Sequence, residues 1–269
     1  MLIHGFMGCP EDFTPIAERL SVHYTCIAPC LKGHGHAHRN TKVPLPYGLQ
    51  AQAVQIETIL NQACIDAVYA VGYSLGGRVA LQWALGLHQS SSPEGYFYNP
   101  RLKALCLTAA HVGLDPNAPI RQARFAQDLQ IAKRLETVAR DHASIESWEA
   151  FLNYWYALPL FGRLQHHPNY AALMQRRRAH DPHILAEVVC QASSALQQDY
   201  RSDLARLARI LPCLYVAGSE DHKYAELATE LAQAGVPAAL MPHLAHALPT
   251  EDSTRYGLLL QQFFASLRQ

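Results

Sequence analysis

The chain has no net charge: 22 lysines and arginines offset 22 aspartates and glutamates among its 269 residues. That balance excludes a general surface for nucleic acid and leaves room only for a local basic site. No apolar stretch comes near the roughly 20 residues that cross a bilayer, so no membrane insertion is expected. The amino terminus reads as lacking a secretory leader, because no basic segment precedes an apolar one. Low-complexity tracts and internal repeats are absent. The seven cysteines include no C-x-x-C pair and are odd in number, which argues against a disulfide framework and against a zinc site. A reducing, cytoplasmic setting is the expectation. Cys26, Cys106 and Cys213 sit in apolar, strand-like runs and read as small core residues.

What is present is a strongly apolar chain, 49% by composition, long enough for one large α/β unit. Leu2-Ile3 is a strand stub, followed by a helix over 10–20, a strand over 24–28 and a helix over 49–63. Strands over 67–71, 102–108, 212–217 and 238–241 alternate with helices over 79–85, 224–234 and 254–267. Alternation of this kind predicts a mainly parallel sheet with helices on both faces. Between about 110 and 212 the pattern is helical only and rich in Arg, Gln, His and aromatics. That stretch reads as an inserted all-helical cap over the strand ends. The expected division is core over 1–110, cap over 111–205 and core again over 206–269.

The most telling run is Val71-Gly72-Tyr73-Ser74-Leu75-Gly76-Gly77. A serine between glycines, with a buried strand before it and an apolar helix after it, describes a nucleophile elbow. The glycines suit a turn too tight for larger side chains, and the hydroxyl stands at the positive end of the next helix. A serine hydroxyl is inert at neutral pH without a base, and the base needs an acid to orient it. Asp221 in Gly218-Ser219-Glu220-Asp221 lies at a strand end and is preferred to Glu220; a plain helix N-cap is its alternative role. His246 is the expected base, with His243 the rival. The amides of Phe6, in His4-Gly5-Phe6, and of Leu75 are the candidate oxyanion donors, with His4 itself a structural hydrogen-bonding residue. His34, His36 and His38 have no acidic or cysteine ligands beside them, so neither a metal nor a cofactor is expected.

These residues make the chain resemble the α/β-hydrolase superfamily over essentially its whole length. More narrowly it is similar to the 2-succinyl-6-hydroxy-2,4-cyclohexadiene-1-carboxylate synthases of menaquinone and phylloquinone biosynthesis. The matching runs are His4-Gly5-Phe6-Met7-Gly8, Gly72 through Arg78, Trp155-Tyr156 with Pro159-Leu160-Phe161, and Gly218 through Tyr224. Two departures stand out, Ala245 for a glycine and Pro249 for a second histidine. The resemblance implies a lyase that eliminates pyruvate from a cyclohexene bearing several carboxylates, with Ser74, Asp221 and His246 as triad. It also implies that Arg78, Arg124 and Arg177 receive carboxylates and that Trp155 and Tyr156 pack on the ring. A small-molecule polycarboxylate is then the partner, and the chain a monomer or weak homo-oligomer. The plainer readings are a solvated arginine run at 176–178, Arg78 on a helix surface, and Trp155-Tyr156 as cap core. The competing activities are a serine carboxylesterase or carbon–carbon bond hydrolase; a non-catalytic binding protein is the third class.

Overall fold

The structure, a computed structural model, describes residues 1–35, 46–86, 97–115, 117–141 and 144–268. His36 and His38 lie outside the described residues. Five strands, β1 (Leu2–Ile3), β2 (Val68–Tyr73), β3 (Leu102–Thr108), β4 (Cys213–Gly218) and β5 (Ala238–Met241), form one sheet. All neighbouring pairs are parallel, and the strands lie side by side in sequence order. Each crossover is therefore helical, because parallel neighbours cannot be joined by a tight turn.

The core helices are α1 (Thr14–Leu20), α2 (Leu49–Gln62) and α3 (Leu75–Leu81). Among the described residues, the segment between β3 and β4 carries helices and no strand: α4 (Ile120–Arg140), α5 (Ile145–Tyr156), α6 (Tyr170–Arg177), α7 (Pro182–Gln191) and α8 (Arg201–Leu207). Then come α9 (His222–Gln233), α10 (Leu248–Glu251) and α11 (Ser253–Ala265). The pleat of β2 fixes which helix covers which face, since alternate side chains point to opposite sides. The Tyr69 ring stacks on Phe264 of α11 at 5.1 Å, whereas Gly72 abuts Gly76 and Gly77 of α3. α11 and α3 thus lie on opposite faces. Buried Thr108 and Tyr256 hydroxyls, 2.7 Å apart, tie β3 to α11.

One expected strand is missing. Residues 24–28 form no strand and make no ladder; Leu2 N–H donates to Ile27 O at 2.8 Å. β1 is only two residues long, so it offers too few groups for a second neighbour besides β2. The helix expected over 79–85 begins earlier, at Leu75, and ends in a π-helical turn, Gln82–Gly86.

The helices between β3 and β4 start where capping chemistry allows. Asp181 accepts the amides of His183 and Ile184 ahead of Pro182, and Ser144 accepts the amide of Ser147. These helices bury a second apolar cluster around Leu135, Trp148, Leu152 and Leu185. Met7 and Ala247 join that cluster from elsewhere in the chain. A Leu→Ala change at a fully buried position such as Leu152 costs roughly 2–5 kcal/mol, so this layer is firmly seated on the two loops that carry Met7 and Ala247.

Candidate active site

Ser74 joins β2 to α3 in a backbone conformation that few L-residues adopt, φ 52° and ψ −114°. Strain of this kind costs about 1–3 kcal/mol and persists only where the surroundings impose it. Here the glycines impose it. A Cβ on Gly76 would run into the carbonyl oxygens of Ile3 and His4, and one on Gly72 into the backbone of Gly76 and Gly77. The amides of Gly77 and Arg78 donate to Ser74 O at 3.1 and 3.2 Å. The side chain caps nothing, which leaves the hydroxyl available.

His246 receives it. The ring Nε2 lies 3.0 Å from Ser74 Oγ, and Nδ1 lies 2.6 Å from Asp221 Oδ2. An ionised carboxylate only accepts, so the Nδ1–H donates to Asp221 and Nε2 is the acceptor facing Ser74. His246 and Asp221 are both buried. Asp221 occupies the N-cap position of α9, but its side chain makes no cap hydrogen bond. Glu220 and His243, the rivals, are exposed. The loop around His246 is gripped by Glu251, whose two carboxylate oxygens accept the amides of Ala245 and Ala247 at 2.7 Å each. Tyr224 and Tyr73 flank the imidazole at 5.1 and 5.5 Å between centroids.

Phe6, Leu75 and Ser74 border one cavity of about 360 Å³. Among the described residues, neither the Phe6 nor the Leu75 amide donates to a carbonyl. Gly5 brings the first of these close, since a Cβ there would lie 3.3 Å from Ser74 Cβ. His4 holds the loop's base: Nδ1–H donates to Gly5 O at 2.8 Å and Nε2 accepts Leu31 N–H at 3.0 Å. Burial pushes its pKa down to about 4, so the ring stays neutral.

Arg78, Arg124, Trp155, Tyr156 and Arg177 border the same cavity, but the three arginines differ. Arg177 donates to both carboxylate oxygens of Asp12, at 3.1 and 2.7 Å, and its Nε–H donates to the Tyr156 hydroxyl at 2.9 Å. Burial works against the Asp12 carboxylate, yet Arg177 and then Arg176 outweigh it and hold the group at about 2. Arg124 forks onto buried Asp128 at 3.0 and 2.8 Å. Arg78 has neutral partners: Nε–H donates to Gln197 Oε1 at 2.7 Å and an Nη2–H to Ala192 O at 2.5 Å. Burial lowers its pKa to about 10. Arg176 reaches Asp12 from outside the cavity lining, and Arg178 pairs with Glu149. Trp155 is half-buried, its ring edge-on to Phe6 at 5.5 Å.

Sequence reasoning missed Asp12, Asp128, Gln197 and Tyr73. Asp128 stands one helical turn after Arg124, a spacing that signals an ion pair. Asp12 is 165 positions from Arg177, and no local pattern joins them.

The sequence pattern of the alpha/beta hydrolase family matches residues 1–256. A Yersinia pestis protein named 2-succinyl-6-hydroxy-2,4-cyclohexadiene-1-carboxylate synthase is 30% identical over 230 residues, spanning 85% of this chain and 74% of its own length. The solved structure titled MenH from S. aureus superposes with a TM-score of 0.79 at 23% identity, covering 100% of this chain and 94% of that one. A thermophilic esterase from Thermogutta terrifontis gives 0.73 at 19% identity, covering 100% and 89%. At those identities the two structures speak for the fold alone.

Proposed function

The chain belongs to the alpha/beta hydrolase family, and from that premise we propose that it is a carbon–oxygen lyase acting on 2-succinyl-5-enolpyruvyl-6-hydroxy-3-cyclohexene-1-carboxylate. It releases pyruvate and forms 2-succinyl-6-hydroxy-2,4-cyclohexadiene-1-carboxylate. The observation that carries this reading is the Ser74–His246–Asp221 line opening into a cavity walled by Arg78, a buried guanidinium without a carboxylate partner among the described residues. A triad alone serves ester hydrolysis equally well; an uncompensated cation beside it favours a carboxylate-bearing substrate. The name carried by the Yersinia pestis relative supports the same substrate.

In the proposed reaction His246 takes the Ser74 proton, and the Asp221 carboxylate stabilises the imidazolium that results. Ser74 removes the ring proton at C2, next to the succinyl carbonyl. The negative charge passes to that carbonyl oxygen, where the Phe6 and Leu75 amides receive it. As the carbonyl re-forms, double bonds settle at C2–C3 and C4–C5 and the C5–O bond breaks. Enolpyruvate departs and becomes pyruvate on taking up a proton. Residues 111–205 act as the cap that holds Trp155 and Tyr156 over the ring. The seven free thiols support a cytoplasmic setting, and in this reading the chain works as a monomer or weak homo-oligomer.

The test is direct. Purified chain incubated with the enolpyruvyl substrate releases pyruvate at a rate proportional to enzyme, followed by coupling to lactate dehydrogenase. Folded protein that releases none, while turning over p-nitrophenyl esters rapidly, rejects the lyase in favour of an esterase.

A further inference from the structure

We propose that Asp12 is a positioning residue, fastening the loop that carries the Phe6 amide to the helical segment above the cavity. The inference rests on the oxyanion role given to Phe6 above. Residues 5–9 leave β1 and turn sharply, with Met7 at φ 56° and Gly8 N–H donating to Gly5 O at 2.9 Å. Other polar groups of the loop, Gly5 O, Met7 O and the Cys9 amide, are held from outside it. Asp12 Oδ2 accepts the Cys9 amide at 3.1 Å and, on the same carboxylate, Arg177 Nη2–H at 2.7 Å. Oδ1 takes Arg176 Nε–H at 2.8 Å and Arg177 Nη1–H at 3.1 Å. A second tie stands beside it: His180 Nε2–H donates to Met7 O at 2.8 Å while its Nδ1 accepts Gly35 N–H at 2.9 Å.

The Phe6 amide is thus flanked by Gly5 O, which accepts from His4 Nδ1–H and Gly8 N–H, and by Met7 O; Met7, and Cys9 beyond it, are both anchored through residues 176–180. Asp12 is almost fully buried among these donors, where charge-assisted bonds are short and strong. Arg177 spends its guanidinium edges on Asp12 and Tyr156. Its part in the site is therefore to hold the loop and aim the Tyr156 hydroxyl. Replacing Asp12 by Asn removes the charge but keeps the shape, leaving two guanidinium groups without their counter-ion and the Cys9 amide with a weaker acceptor. An oxyanion donor displaced by about 1 Å loses up to roughly a hundredfold in rate.

The experiment reads the oxyanion donors without needing the natural substrate. Diisopropyl fluorophosphate phosphorylates Ser74 Oγ with loss of fluoride, and the developing P–O⁻ charge draws on the same amides. The maximal labelling rate and half-saturating concentration are measured on the full chain for wild type, D12N and R178Q, with thermal midpoints alongside. In D12N the maximal rate falls about tenfold or more, with half-saturation within about threefold of wild type. R178Q, whose arginine pairs with Glu149 instead, labels like wild type. If D12N does not fold, R177K keeps the charge, loses the fork, and shows the same fall. A folded D12N or R177K labelled within about twofold of wild type overturns the proposal, as does a change confined to half-saturation. Wild-type chain that labels normally but releases no pyruvate defeats the lyase and leaves Asp12's role standing. Pyruvate release with unaltered labelling of D12N does the reverse. Wild-type chain that takes no label overturns the Asp12 proposal, while pyruvate release alone decides the lyase.

Discussion

Replacing Arg78 by Met separates its role in binding from its role in the fold. Burial, with Arg124 nearby, lowers the Arg78 pKa from 12.5 to about 10, which corresponds to a cost on the order of 3 kcal/mol for keeping the charge in the cavity wall. Two hydrogen bonds oppose that cost, to Gln197 Oε1 and Ala192 O, each worth roughly 1.5 kcal/mol with a charged donor. The terms nearly cancel, so R78M shifts the thermal midpoint by only a few degrees. The substrate tells a different story. A carboxylate docking on Arg78 relieves the same burial cost, and losing that pairing raises KM about a hundredfold. Because the carboxylate is bound before and during proton removal, kcat changes far less. Pyruvate release against substrate concentration gives both constants, and a melting curve gives the third quantity. A KM within about threefold of wild type refutes Arg78 as the carboxylate receptor. A midpoint lowered by more than about 10 °C refutes the near-cancellation.

Asp221→Asn allows His246 to adopt the tautomer whose Nε2–H faces Ser74, so kcat drops about a thousandfold or more in a folded chain; a loss under about tenfold contradicts the relay. Gly76→Ala forces a Cβ against the carbonyl oxygens of Ile3 and His4, and destabilisation above about 3 kcal/mol is expected in urea titration, with a wild-type midpoint counting against the elbow's tight fit. Burial holds His4 at about 4 and both His111 and His180 at about 3, so the unfolded chain binds more protons than the folded one below pH 6.5. Stability present at pH 7 is therefore lost as pH falls from 6.5 towards 4, by roughly 1.4 kcal/mol per pH unit for each histidine; urea midpoints that stay flat between pH 7 and 5 refute their burial as neutral rings.

The parts of the molecule that could be read from sequence are those whose chemistry is local. The strand over 102–108 is apolar apart from exposed Lys103 and the closing Thr108, and it forms β3 with those bounds. Ser74 is framed by glycines that its own turn requires, and Asp221 and His246 each follow a strand at a fixed short distance. The strand expected over 24–28 failed for a non-local reason: an apolar run pairs only if its neighbour is long enough, and β1 offers two residues. Sequence reading starts α3 four residues late because Gly76-Gly77 has poor helix propensity. Packing against Ile3 and His4 overrides that, since only glycine fits there.

The arginines expose the deeper limit. Arg78, Arg124 and Arg177 read alike in sequence, as cations for a polyanion, and all three border the cavity. A guanidinium removed from water must find partners, and in two cases the chain supplies carboxylates of its own, Asp128 four residues on and Asp12 from the far end of the polypeptide. The cavity's uncompensated charge is therefore concentrated at Arg78, one helical turn from Ser74. An anchor so close to the reacting hydroxyl fixes the substrate where a proton must be taken, whereas cations spread over the roof would bind it tightly without orienting it. Because that anchor grips the carboxylate alike before and during proton removal, it contributes uniform binding, and its loss falls on KM rather than on kcat.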